Sequence, residues 1–417
     1  MTGFKRRILD NGLKVIAHKD KSTPMSAVNI LYDIGSRDDR PDRTGTAHLL
    51  EHLMFGGSIS IPSYDIEVQN AGGENNAFTS NDITNYYITL PSANIETGMW
   101  LESDRMPGLD FSAEKLEIQK QVVAEEYKQR YLNQPYGDIW MIMRPMAYNI
   151  HPYKWPVIGS DISHIMNITV DEIREFYNEH YCPSNAILSV SSSLDEDYCL
   201  DLAEKWFGHV KKRKSLIRSI PEEPPQAGIR KMEVTRDVPY DMIIIAYRMC
   251  GRNAKEYHAT DLISDLLAGG KSARLYRNLV MEKKLFGIIN AFITGDRDPG
   301  LFVVKGRVSE GVEAEKAYNA IISEIDNFIS SPPRNEELEK VKNKLEATRQ
   351  YTHTDILHKA TDLAYYELLG DAGYLNKELT LYRKTETEDI RRTAILLFRP
   401  DNASVLFYRA KNKSKKR

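Results

Sequence analysis

The chain has 417 residues, 41% hydrophobic and 28% charged, which predicts two to four domains with real apolar cores. Lys plus Arg number 56 against 59 for Asp plus Glu, and a net charge of −3 excludes a chain built to coat nucleic acid or an anionic membrane. Three scattered cysteines (Cys182, Cys199, Cys250) exclude a disulfide framework or a thiolate metal knuckle and read as buried, reduced thiols.

No run reaches the ~18–20 apolar residues of a membrane span. The basic start of the chain has no apolar stretch behind it, so a cytoplasmic protein is expected, although a trimmed leader would look the same. The basic run 411–417 is expected to hang free in solvent.

In chain order, Asp10-Asn11-Gly12 is a turn signal, and residues 13–17 read as the strand that follows it. Residues 27–32 form another strand. A helix is predicted from Thr44 or Thr46 to Phe55, stopped by Gly56-Gly57. Residues 85–90 are a strand ended by Pro91, and a long helix runs from about 112 to 133, closed by Pro135. The Pro-rich stretch 220–228 is a linker that divides the chain in half. A strand at 243–247 and a helix through Asp261 then restart the pattern.

The halves contain a repeat. Residues 261–270, DLISDLLAGG, match residues 48–57, HLLEHLMFGG, without a gap. The apolar positions and the Gly-Gly coincide, whereas His48, Glu51 and His52 become Asp261, Ser264 and Asp265. The frame is duplicated and the chemistry is not.

His48 and His52 stand one helical turn apart, so both imidazoles project from one face and suit a single zinc ion. Glu51 flanks that face, able to reach a water on the metal without binding the metal itself. H-x-x-E-H is the inverted zincin pattern. A catalytic zinc needs a third protein ligand, and the long helix offers Glu125 and Glu126. Leu116, Gln119, Val123, Glu126 and Arg130 make one stripe, and Ile118, Val122, Glu125 and Gln129 make its neighbour, so periodicity leaves the choice open.

Residues 48–52 and the run Val122-Val123-Ala124-Glu125-Glu126-Tyr127 resemble the pitrilysin/insulysin family of zinc peptidases. Further matches are residues 72–79 (GGENNAFT), 181–186 (YCPSNA) and 269–276 (GGKSARLY). The length and duplication resemble the family's half-length branch, which includes mitochondrial-processing-peptidase-like subunits. The resemblance implies Zn2+ held by His48, His52 and Glu126, with Glu51 as the base that activates water. It places Gln119 where a second acidic residue usually stands, leaving an amide to support the site. It also implies that Asn76, Ala77 and Phe78 lie on an edge strand to which a substrate peptide adds.

Family sites also take an Arg and a Tyr, seven residues apart, from the second half. Here Val280 and Gly287 stand at those positions, and Arg274 and Tyr276 read as structural. The resemblance therefore implies a two-chain chamber: a heterodimer with a zinc-less relative first, a homodimer second.

The expected fold is α+β, with two homologous domains, each a mostly antiparallel sheet with helices packed on one face. The expected division is 1–220, a zinc-binding peptidase domain, and 221–417, an inactive repeat domain. The expected function is zinc-dependent hydrolysis of short or unfolded peptides. The alternatives are a non-catalytic structural subunit and a precursor-processing peptidase with one substrate.

Overall fold

The computed structural model describes residues 2–411 except Ser215 and Ile217, so the tail expected to hang free lies, beyond Lys411, outside the described residues. The strands are β1 (Lys5–Ile8), β2 (Lys14–Lys19), β3 (Met25–Tyr32), β4 (Glu74–Thr79), β5 (Thr84–Pro91), β6 (Ala186–Ser192), β7 (Arg230–Arg236), β8 (Met242–Arg248), β9 (Phe286–Ile293), β10 (Leu301–Val308) and β11 (Ala403–Ala410). The first-half helices are α1 (Thr46–Leu53), α2 (Tyr64–Asn70), α3 (Ile95–Asp104), α4 (Ala113–Tyr127), α5 (Ile139–Ala147), α6 (Ile162–Met166), α7 (Val170–His180) and α8 (Glu196–Phe207). Those of the second half are α9 (Tyr257–Ala268), α10 (Ala314–Ser330), α11 (Asn335–Thr352), α12 (Ile356–Leu368), α13 (Tyr374–Lys384) and α14 (Thr387–Leu397).

One sheet runs β1-β2-β6-β3-β5-β4 and the other β7-β11-β8-β10-β9. Without β1 the two match strand for strand. The β2–β6 and β7–β11 pairs are parallel, and every other pair is antiparallel. The duplication read from two helices therefore extends to the whole sheet topology.

The chain packs as two compact units. The first holds residues 1–132, 151–221 and 349–377; the second holds 133–150, 222–348 and 378–417. The change of unit at 221/222 coincides with the linker read from sequence. The contiguous division 1–220 and 221–417 nevertheless differs from these units in two exchanged segments. Helix α5 packs on β8 and β11 of the second unit, and α12 packs on β3 and β6 of the first. Both helices carry an apolar face that shows in the sequence. Which sheet receives that face is settled only by packing.

In the first unit, α12 covers the sheet face opposite the other helices. Ala27 meets Ile356 and Ala360 of α12, while Val28, pointing the other way, lies against Gly98 of α3. Helices thus cover both faces there, beyond the single covered face expected. The unbroken burial of β3 from Ser26 to Tyr32 fits such two-sided coverage. Asn29 within this run is satisfied by a reciprocal amide pair with Asn85 at 3.0 and 2.8 Å. In the second unit, Ile243, Ile245 and Tyr247 of β8 join α9, α10 and α14 in one core. Ser404 Oγ and Arg230 Nη1 donate to the Met146 carbonyl at the end of α5.

Cys182 and Cys199 are buried and Cys250 partly so, all three as free thiols. No helix among the described residues is long and apolar enough to cross a membrane.

Candidate metal centre

Helix α1 starts from Gly45, whose φ of +92° lies in the left-handed region. A Cβ there would stand 2.6 Å from the Ile158 carbonyl oxygen, so the position admits only glycine. The first turn is held by Asp39, whose carboxylate accepts from the Gly45 N–H (2.7 Å) and the Ala47 N–H (2.9 Å). Burial pushes the Asp39 carboxyl well up, and these two N–H groups act against it. Leu49, Leu50 and Leu53 then sink into the core, which turns His48, Glu51 and His52 toward α4 and β4.

Burial separates the two stripes of α4. Leu116 and Val123 are buried, whereas Ile118 and Val122 are 52% and 45% exposed, so α4 presents the Glu126 stripe to α1. Glu126 Oε2 lies 3.4 Å from His52 Nε2 and 3.8 Å from His48 Nε2. The two imidazole centroids are 4.9 Å apart and nearly perpendicular. Glu125 is turned away and pairs with Lys128 at 2.6 Å.

The donor set suits zinc. Two imidazoles and a carboxylate offer one ligand atom each, all within 4.8 Å of one another. A tetrahedral site with bonds near 2.1 Å has ligand-to-ligand edges of roughly 3.4 Å, close to the two His–Glu separations. His48 Nδ1 is buried without a hydrogen-bond partner, which leaves Nε2 as the nitrogen that faces Glu126.

The electrostatics match. Burial pushes the His48 imidazole down to about 4, with His52 adding to the effect and Glu126 opposing it. The ring is therefore neutral at pH 7, the form that ligates. The hydrogen bond to His52 holds the Glu126 carboxyl below its ordinary value against its burial, and His48 and Arg130 reinforce this. Arg130 Nη1 reaches Glu126 Oε1 at 3.0 Å. It does so from a π-helical turn over Lys128–Leu132, where a regular helix to 133 was expected. Glu51 stands outside the ligand group. Burial raises its carboxyl, and the Thr79 hydroxyl, which donates to Oε2, opposes that rise.

Gln119 lies half-buried on the Glu126 stripe, and its side chain makes no hydrogen bond among the described residues. Asn76, Ala77 and Phe78 lie on β4, the outermost strand of its sheet, paired among the described residues only with β5. The Ala77 N–H donates to Asn76 Oδ1 at 2.8 Å, and Phe78 is exposed. Sequence reasoning passed over Asp39 and Thr79. Asp39 carries no local cap signature, and nothing in the string shows Thr79 reaching a helix 28 residues earlier.

In the second unit, Val280 packs against the apolar core, and a Cβ on Gly287 would lie 2.8 Å from Arg307 Nη2. Neither residue offers a cation or a phenol. Arg274 is bound to Glu337 and the Ser331 carbonyl, and Tyr276 packs in the core, so both serve the fold.

Two family models match in succession: "Insulinase (Peptidase family M16)" over residues 14–158 and "Peptidase M16 inactive domain" over 167–345. The zinc protease PqqE of Helicobacter pylori is 29% identical over 409 residues, covering 96% of this chain and 91% of that protein. The crystal structure of a protease from Helicobacter pylori superposes with a TM-score of 0.92 at 28% identity, covering 98% of this chain and all of the other. Pitrilysin shares the fold at a TM-score of 0.80 and 18% identity, with 98% of this chain covering 45% of that one. With both family models in sequence and a span of about half of pitrilysin, the chain belongs to peptidase family M16, as a half-length, insulinase/pitrilysin-like member.

Proposed function

We propose that the chain is a zinc-dependent endopeptidase that hydrolyses short or unfolded peptides. The observation that supports this most is the convergence of His48 Nε2, His52 Nε2 and Glu126 Oε2, with the Glu51 carboxylate beside them. Zinc, when bound, supplies the Lewis acidity that brings the pKa of water toward ~7. His48, His52 and Glu126 hold it, and Arg130 steadies the Glu126 carboxylate. Gln119, on the same stripe, stands where a second acidic residue would, with an amide in place of a carboxylate. Glu51 takes the proton from the attacking water and returns it to the leaving amine. The free edge of β4 at Asn76, Ala77 and Phe78 accepts the peptide as an added strand, a mode that depends little on sequence.

Val280 and Gly287 stand where the family resemblance would place an Arg and a Tyr. We therefore propose that a second chain closes the chamber and supplies them, a zinc-less relative first and another copy second. The same two residues favour the competing reading, a structural subunit that keeps the fold without turnover. A processing peptidase for a single precursor differs only in substrate range.

The test is zinc content and peptide cleavage for wild type and Glu51→Gln, each alone and mixed with candidate relatives. Glu51→Gln is expected to keep its zinc and lose roughly 10²–10⁴-fold in turnover. Full turnover in that variant, or a wild-type chain that takes up no zinc, would overturn the assignment.

A further inference from the structure

The hydroxyls behind Glu51 form a chain whose protons can be counted. Thr79 Oγ1 lies 2.5 Å from Glu51 Oε2 and 3.3 Å from Thr84 Oγ1. Thr84 spends its one proton on the Ile34 carbonyl at 3.0 Å, an oxygen that can only accept. Thr84 Oγ1 is therefore an acceptor toward Thr79, and Thr84 is itself fully buried, so the anchor of this chain is fixed by packing.

We infer that Thr79 is a positioning residue for Glu51, an inference that rests on the peptidase reading above. The Thr79 hydroxyl donates to Glu51 Oε2 and fixes that oxygen beside the ligand group, and the buried Thr84 holds Thr79 in turn. A valine of the same shape cannot make the bond. Thr79 is also the last residue of β4, so the strand proposed to receive substrate ends on the group that holds the base.

The experiment compares Thr79→Val and Thr79→Ser in the zinc-loaded protein, with its partner if one is required. Thr79→Val is expected to retain zinc and KM within about threefold while kcat falls roughly 10–100-fold, the range typical of removing a supporting hydrogen bond. Thr79→Ser restores kcat to within about threefold of wild type on the same grounds. Crystal structures of both variants supply a readout independent of turnover: Glu51 leaves its place in Thr79→Val and keeps it in Thr79→Ser. Should Thr79→Val not fold, Thr79→Ala carries the same comparison. Unchanged kcat in Thr79→Val, an equal loss in both variants, or an unmoved Glu51 overturns the inference. If the wild-type protein cleaves no peptide, the peptidase reading fails by itself, and the position of Glu51 in the valine variant decides this one.

Discussion

At the residue scale, the choice between Glu125 and Glu126 shows what a stripe pattern leaves undecided. Both are adjacent carboxylates on one amphipathic helix, and they separate only because Val123 and Leu116 are buried while Val122 and Ile118 are not. His180 is a second group whose behaviour is set by its surroundings. Burial, reinforced by Arg218 and opposed by Asp33, pushes its imidazole down to about 4. In the unfolded chain the same ring titrates near ~6.5. Between those values the unfolded state binds a proton that the folded state refuses, so stability falls as pH falls, and the loss is complete below about 4. Denaturant unfolding of wild type and His180→Gln across this window is expected to show an excess loss of about 3 kcal/mol in the wild type. Parallel pH profiles would show that the His180 environment does not have this effect.

At the element scale, α1 was legible as a helix of the right length because its apolar spacing and terminal Gly-Gly are local signals. Its start was not. The acceptor for its first N–H groups is Asp39, which lies outside the helix and reaches it through a loop. Asp39→Ala leaves those N–H groups without a partner in a buried place, at a cost of about 2 kcal/mol. It should also weaken zinc binding, because His48 follows in the same turn. Equilibrium unfolding and metal titration of the variant check both effects, and Asp39→Asn, which keeps one acceptor oxygen, should fall between. The strands show the same division. The β3 segment was recognisable from its apolar run, whereas α12 on its far face comes from the other half of the chain.

At the scale of the whole molecule, the helices that carry His48, His52 and Glu126 belong to a unit with an apolar core of its own, to which Leu49, Leu50 and Val123 contribute. Removing zinc with a chelator such as 1,10-phenanthroline is therefore expected to abolish cleavage and leave the far-UV circular dichroism spectrum unchanged, with activity returning on re-addition. Loss of the spectrum would mean that the site folds only around its ion, as in small zinc domains. The sequence by itself determined the paired imidazoles, the neighbouring acid and the duplicated frame, because each depends on spacing within one helix or on alignment of two segments. The approach of Glu126 to the two imidazoles, which periodicity left open, the hydroxyl behind Glu51, the cap of α1 and the exchange of α5 and α12 were decided only by tertiary structure. Each joins groups far apart along the chain, and side-chain burial and sheet coverage, which no local periodicity encodes, bring them together.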